Sequence, residues 1–342
     1  MKIYALKIGA TKVPYGQFYG GTQGWVGLRG MWRFLRDKRH FIEVPIHVYL
    51  IDHPTAGLIL VDAGINWEQA HAHHAYYRGV LARMSLDEDE YLLSRDQELC
   101  AQLGRLGYNC SDISTVIVTH LHEDHIGGLT SLRHARVVLA APEWKRVGSW
   151  NRLARFLPFL AMEKFSPSIA GMAPPEVVAF SSGAFHGFDS SQDLLGDGSV
   201  ILLPTPGHTS GHLAVLVWLD GYQVLCCGDT IYTLRHLAID QVRPVAISRK
   251  SWAQQADSIR RIQRLRAALP DTVIAPAHDH TRYSSAYLEP FLADGGLSVD
   301  EREAVRAYEQ RLFRREWELA ADALPQFTPP SDRQPVGRVT EP

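Results

Sequence analysis

Residues 114–128 read STVIVTHLHEDHIGG, an unbroken apolar segment that runs into three histidines and two carboxylates within six positions. Few sequence features restrict a fold more. The first half is short, β-branched and bounded by turns, which describes a strand buried on both faces. The second half must then emerge at an edge of the core, where crowded ionisable groups are costly unless a cation holds them. A hydrated loop would account for a lone His-x-His pair. Five potential ligands at the mouth of an apolar strand, closed by Gly127-Gly128, point instead to bound metal. His120 and His122 can be aimed at one point, and Asp124 and His125, a turn later, at a second point nearby. Imidazole nitrogen and carboxylate oxygen suit a zinc-like divalent ion.

Other short apolar runs repeat the pattern. IHVYLID (46–52) and GLILVDAG (57–64), separated by His53-Pro54-Thr55-Ala56, predict a hairpin, and a helical stretch follows to about residue 107. ARVVLAA (135–141), SVILLPT (199–205), HLAVLVWL (212–219), YQVLCCGD (222–229) and TVIAPAHDH (272–280) predict further strands, with Asp220-Gly221 as a tight turn. In SWAQQADSIRRIQRLRAAL (251–269) the residues Trp252, Ile259, Ile262, Leu265 and Leu269 recur at helical spacing, with Ser251 and Gln254 as a capping box. A charged helix over 298–319 is predicted to open on Ser298 and Glu301, followed by a Pro-rich tail predicted to be disordered. Many strands with few long helices imply an α+β chain in which helices flank packed sheets. The expected organisation is a main domain over residues 1–295, with 144–190 as a lid or insertion, and a C-terminal helix and tail over 296–342.

Composition narrows the function classes. The 342 residues are 46% hydrophobic and 21% charged, with a formal net charge of −2. Nothing in that balance favours nucleic acid or an anionic membrane as a partner, and no apolar run approaches a membrane span. The N-terminal MKIYALKIGATKVPYGQFYG lacks a long apolar core and an Ala-x-Ala site. The four cysteines, Cys100, Cys110, Cys226 and Cys227, have no regular spacing, so all four are expected as reduced thiols in a cytoplasmic protein. His71, His73 and His74, in a predicted helix without partner carboxylates, are expected on a solvated face.

The motif H-x-H-x-D-H after a buried strand resembles that of the metallo-β-lactamase superfamily. The resemblance requires three further ligands in fixed order at strand ends. His208 in TPGHTSGH, Asp229 in CCGDT and His278 in APAHDH occupy those places, and Asp62 in LVDAG matches an earlier turn. The implied fold is an αββα sandwich of two packed mixed sheets flanked by helices. By the same likeness His120, His122 and His208 hold one divalent ion, Asp124, His125 and His278 a second, and Asp229 bridges both. Zinc is the expected metal, with iron, cobalt or manganese as alternatives. Glu123 receives no ligand role, His212 and Asp62 are expected to support the ligands, and Asp279 and His280 stay unassigned.

Within the superfamily, Tyr232, three residues after Asp229, resembles the N-acyl homoserine lactone lactonases, the quorum-quenching lactonases. The resemblance implies ring opening by a metal-bridging hydroxide, with the Tyr232 phenol donating to the carbonyl oxygen and Asp124 shuttling a proton. The aromatic, Gly-rich stretch 13–35 and the following FIEVPIHVYLIDH agree with that subgroup. The interval from His125 to His208 is longer than in a compact lactonase. The implied partner is a small lactone, with no nucleic acid and no membrane, and a homodimer is compatible with the reading. Competing activities are a glyoxalase II-like thioesterase, a phosphotriesterase or arylesterase, an RNase Z-like nuclease, a flavodiiron protein and a non-catalytic metal sensor. The nuclease lacks a basic arm here, the flavodiiron pattern lacks its glutamate at His122, and the sensor reading requires a broken ligand set.

Overall fold

The computed structural model describes residues 1–14, 41–77, 91–154, 166–238 and 249–313. The stretch 15–35, part of 144–190, the end of the predicted 298–319 helix and the tail lie outside the described residues.

The strands are β1 (Lys2–Pro14), β2 (Phe41–His53), β3 (Gly57–Val61), β4 (Tyr91–Leu92), β5 (Ile113–Ile117), β6 (Arg136–Ala140), β7 (Glu176–Val178), β8 (Gln192–Asp193), β9 (Val200–Pro204), β10 (Leu213–Leu219), β11 (Tyr222–Gly228) and β12 (Thr272–Pro276). They form a seven-stranded sheet in the order β4-β1-β2-β3-β5-β6-β7 and a five-stranded sheet in the order β12-β11-β10-β9-β8. Both are mixed. The β2–β3 hairpin is antiparallel as its turn predicts, β3, β5 and β6 run parallel, and β11 runs parallel to β12.

Alternation along the strands explains the layering. Tyr49, Ile51, Ile59, Val61 and Ile117 face the second sheet, while Val48, Leu50, Leu58, Leu60 and Val116 face away from it into another apolar cluster. Each central strand is therefore apolar on both sides, which produces unbroken runs in the sequence. The helices that accompany the sheets are α1 (Trp67–His71), α2 (Leu99–Arg105), the single turn α3 (Glu123–Ile126) that follows β5, α4 (Ala141–Ala154), α5 (Leu234–Ala238), α6 (Arg249–Ala268) and α7 (Val299–Phe313). The C-terminal α7 buries Val305 and Leu312 in the same core as the two sheets.

Several expectations are corrected. Cys100 and Cys110 form a disulfide with a Cα–Cα distance of 5.3 Å; only Cys226 and Cys227 are free thiols, both buried. The chain reverses after α2, and that reversal, invisible in the spacing, brings the two cysteines together. His73 is buried against Tyr77, whereas His71 and His74 are exposed as expected, His71 stacking on Trp67 and reaching the Leu93 carbonyl at 2.7 Å. The helical stretch up to residue 107 is broken: α1 and the turn His73–Tyr76 come first, then β4, and only then α2. Helix α6 begins at Arg249, so Ser251 lies inside it and cannot cap it, while Trp252 is 40% exposed. Ser298 does cap α7, its Oγ accepting from Glu301 N–H at 3.3 Å while Glu301 Oε2 accepts from Ser298 N–H at 2.8 Å. Among the described residues no helix is long and apolar enough to cross a membrane.

Candidate metal centre

The loops after β5, β9, β11 and β12 converge between the two sheets. Thr119 continues from β5, and its N–H and hydroxyl both donate to Asp62, at 2.8 and 2.9 Å. Asp62 adopts φ 63°, a left-handed backbone that its three hydrogen bonds stabilise. Gly127 and Gly128 allow close approach, because a Cβ on Gly128 would overlap the Ala63 carbonyl oxygen and one on Gly127 would overlap Gln69 Oε1.

Two donor groups result, each with ligand atoms within 4.8 Å of one another: His120, His122, His208 and Asp229, then Asp124, His125 and His278. In the first, His208 Nε2 lies 3.0 Å from His120 Nε2 and 2.9 Å from His122 Nδ1. In the second, His125 Nε2 and His278 Nε2 are 3.3 Å apart, with Asp124 Oδ2 3.3 Å from His278. Asp229 divides its oxygens between the groups. Oδ2 is 3.1 Å from His208 Nε2, and Oδ1 is 3.3 and 3.2 Å from His125 and His278 Nε2.

Hydrogen bonding behind the rings fixes what they present in front. His125 Nδ1–H donates to Asp62 Oδ2 at 2.7 Å, and His278 Nδ1–H donates to the Pro45 carbonyl at 2.9 Å. With Nδ1 committed as the donor, Nε2 of each neutral ring would be an acceptor, and the two Nε2 atoms face each other beside two carboxylates. That arrangement is repulsive unless a proton or a metal ion lies between them. His120 follows the same rule, since Thr119 Oγ1 gives its hydrogen to Asp62 and can only accept from His120 Nδ1, 3.1 Å away. Burial would lower His278, but Asp229 and Asp124 outweigh it and raise the ring to about 9; Asp62, Asp229 and Asp124 likewise hold His125 well above its ordinary value. Burial and the neighbouring histidines push His120 well below. Burial opposes the ionised form of Asp229, yet His278, His125 and His208 keep it far below the usual carboxylate range. An anionic bridge among acceptor-directed imidazoles fits divalent metal ions by donor chemistry.

The remaining expected residues surround this pair of groups. His212 Nε2 accepts from Asp229 N–H at 2.9 Å, and its Nδ1–H donates to Thr205 Oγ1 at 2.8 Å. Tyr232, 2% exposed, sits with its ring centroid 6.2 Å from that of His208 and 5.8 Å from that of His278, one from each group. Glu123 stands outside both groups, hydrogen-bonded by Gln69 at 3.1 Å, and burial raises its carboxyl to about 8.

Sequence reading passed over Glu143, Gln255 and His47 as supports and left Asp279 unassigned. Glu143 accepts from Leu121 and Gly211 N–H groups, Gln255 donates to the Thr230 carbonyl, and Asp279 accepts from Leu234 N–H. His47 N–H donates to the Ala277 carbonyl at 2.9 Å, ahead of His278. Only Glu143 left a signal, a carboxylate directly after an apolar strand in APEW, and that pattern also reads as an ordinary helix start.

A model described as the metallo-beta-lactamase superfamily matches residues 42–278, nearly the whole described site. The chain belongs to the metallo-β-lactamase superfamily. A protein of Agrobacterium fabrum named N-acyl homoserine lactonase AttM is 28% identical over 250 residues, covering 69% of this chain and 82% of that one. A hydroxyacylglutathione hydrolase of Methylococcus capsulatus is 28% identical over 197 residues, covering 56% of this chain and 59% of its own length. A solved N-acyl homoserine lactone hydrolase, with the product N-hexanoyl-L-homoserine at its catalytic metal centre, superposes with a TM-score of 0.59 at 18% identity, covering 82% of this chain and 93% of its own. That likeness establishes the fold. Both mixed sheets and the flanking helices match the expected α+β sandwich, and the superfamily is one of metal-dependent hydrolases.

Proposed function

We propose that this protein is a dinuclear metallohydrolase that opens the ring of N-acyl homoserine lactones, with zinc as the resident ion. The observation that carries the reading is Tyr232, whose ring lies between His208 of one donor group and His278 of the other, on the loop leaving Asp229. Two divalent ions bound by these groups would supply Lewis acidity and a water whose pKa is lowered towards neutrality. The chain's own residues supply the rest. His120, His122 and His208 would hold one ion and Asp124, His125 and His278 the other, and Asp229, whose oxygens face both groups, would serve each. The Tyr232 hydroxyl donates a hydrogen bond where negative charge develops on the lactone carbonyl oxygen, which lowers the barrier without further reorganisation. Asp124 carries a proton to the departing ring oxygen. The similarity to a protein named N-acyl homoserine lactonase supports the substrate class.

A glutathione thioesterase is the second reading, favoured by the similarity to a hydroxyacylglutathione hydrolase over a shorter stretch. A substrate panel decides between them. Initial rates on acyl homoserine lactones, a simple lactone, a glutathione thioester, a β-lactam and a phosphotriester are expected to rank the acyl homoserine lactones first by kcat/KM. Faster turnover of the glutathione thioester than of any lactone would replace the first reading with the second.

A further inference from the structure

One fully buried carboxylate connects loops that belong to different parts of the chain. Glu143 lies in the first turn of α4 with no solvent exposure. Its Oε1 accepts from Leu121 N–H at 3.2 Å, and its Oε2 accepts from Gly211 N–H at 3.1 Å. The half-exposed guanidinium of Arg146, 3.0 Å from Oε1, supplies the compensating charge. Leu121 stands between His120 and His122, and Gly211 follows His208 by three residues and precedes His212. A single side chain thus fastens both loops that carry the three-histidine group. The fit is close, since a Cβ on Gly211 would overlap the Glu143 backbone nitrogen and come within 2.9 Å of its Cα. The other group is held differently, His125 by Asp62 and His278 by the Pro45 carbonyl. Among the described residues, the hydrogen bonds of Glu143 run to Leu121, Gly211 and Arg146, and none runs to Asp124, His125 or His278.

We propose that Glu143 is a positioning residue that sets metal affinity at the three-histidine half-site and leaves the Asp124–His125–His278 half-site unaffected. The proposal rests on the dinuclear reading above. His120 and His208 are 88 residues apart in sequence, so their approach to 3.0 Å must be held from outside the ligand set. If the two loops are free to separate, binding an ion must also order them, and affinity falls. Partners outside the ligand set typically change affinity by about 10–100-fold. A purely folding role, in which Glu143 only satisfies two backbone donors, would lower stability without distinguishing the half-sites.

The test is zinc titration of the metal-stripped full chain against a chromophoric chelator, with circular dichroism and thermal melts on the same samples. Glu143→Gln preserves length but turns an amide NH2 towards one of the two N–H donors. Expected is one site weakened about 10–100-fold and the other within about threefold of the parent. Two backgrounds assign the sites. With His278→Ala, the remaining three-histidine site should weaken on adding Glu143→Gln. With His122→Ala, the remaining site should not respond. Equal weakening of both sites, a response in the His122→Ala background, or parental affinities throughout would overturn the proposal. Should Glu143→Gln fail to fold, Glu143→Asp takes its place, keeping the charge but reaching one loop at most. Parental affinity at the three-histidine site in that variant would overturn the proposal equally. A parent that binds a single zinc would sink the dinuclear reading, and the role of Glu143 would fall with it only if that zinc ignored Glu143→Gln.

Discussion

Tyr232 and Asp229 are three residues apart, and the turn between them carries the argument from metal site to substrate class. The Tyr232 ring also packs with Val13, Ile42 and Val44, so a structural role competes with a chemical one. Tyr232→Phe separates them, because it keeps the ring and deletes the hydroxyl. Metal content and melting temperature should match the parent while kcat/KM for lactone falls about 5–30-fold, roughly 1–2 kcal/mol, less than a full oxyanion donor because metal ions share the charge. Unchanged kinetics on every lactone would reduce Tyr232 to a packing residue. At this scale the donors were legible because each ends or follows an apolar strand, as His208 follows β9 and His278 follows β12. Two of their supports, Asp62 and His212, were named through the family resemblance, and the others were not. Glu143, Gln255 and Asp279 act through backbone N–H and C=O groups, which every residue possesses, so no residue type marks the partner.

Elements carry two further consequences. The Cys100–Cys110 bridge, with a sequence separation of 10, closes a short loop between α2 and the start of β5. Loop-closure entropy for such a span gives about 2–3 kcal/mol. Cys100→Ser should lower the melting temperature measurably and leave metal content unchanged, and an identical melting curve would show the bridge to be energetically idle. Between α6 and α7, Arg266 donates to the buried Glu309. Burial pushes the Glu309 carboxyl up to about 7 from 4.5, with Arg266 opposing. The folded value is the higher one. The contribution of Glu309 is therefore fully present below its ordinary value and lost as pH rises through about 7. Between about pH 5 and about pH 8 the parent should lose roughly 1–3 kcal/mol more stability than Glu309→Gln. Parallel pH profiles would refute this. The same elements show how far periodicity reaches. Strands apolar on both faces announced themselves, but the first, Lys2–Pro14, did not, because Gly9 (φ 74°) and a register shift between Lys7 and Ala10 interrupt its alternation. Helix α6 misled at its N-terminal end because Gln255 and Ser258 serve the Thr230 and Pro206 carbonyls there instead of an apolar surface.

Across the whole molecule the donor groups join the two sheets. His120, His122, Asp124 and His125 leave the seven-stranded sheet, while His208, Asp229 and His278 leave the five-stranded one. An ion bound by both sides favours the folded state by mass action, about 2.7 kcal/mol per site at a hundredfold excess over Kd. Stripping metal with a chelator should abolish activity and lower the melting temperature by roughly 5–10 °C, with the far-ultraviolet spectrum nearly retained because the sheets keep their own apolar core. Restoring zinc should reverse both changes. A melting temperature indifferent to the chelator would mean that the ions do not bridge the sheets.

The sequence by itself determined the chemistry of the donors, their order along the chain and their attachment to buried strands, because these follow from residue type and local hydrophobic period. Through a family resemblance it also determined the sandwich that presents them. Tertiary structure decided how Asp229 shares its oxygens between His208 on one side and His125 and His278 on the other, which partners orient each imidazole, and that Cys100 meets Cys110. Those relations join residues far apart in the chain or across a reversal, and proximity of that kind arises only when two sheets close over a common core.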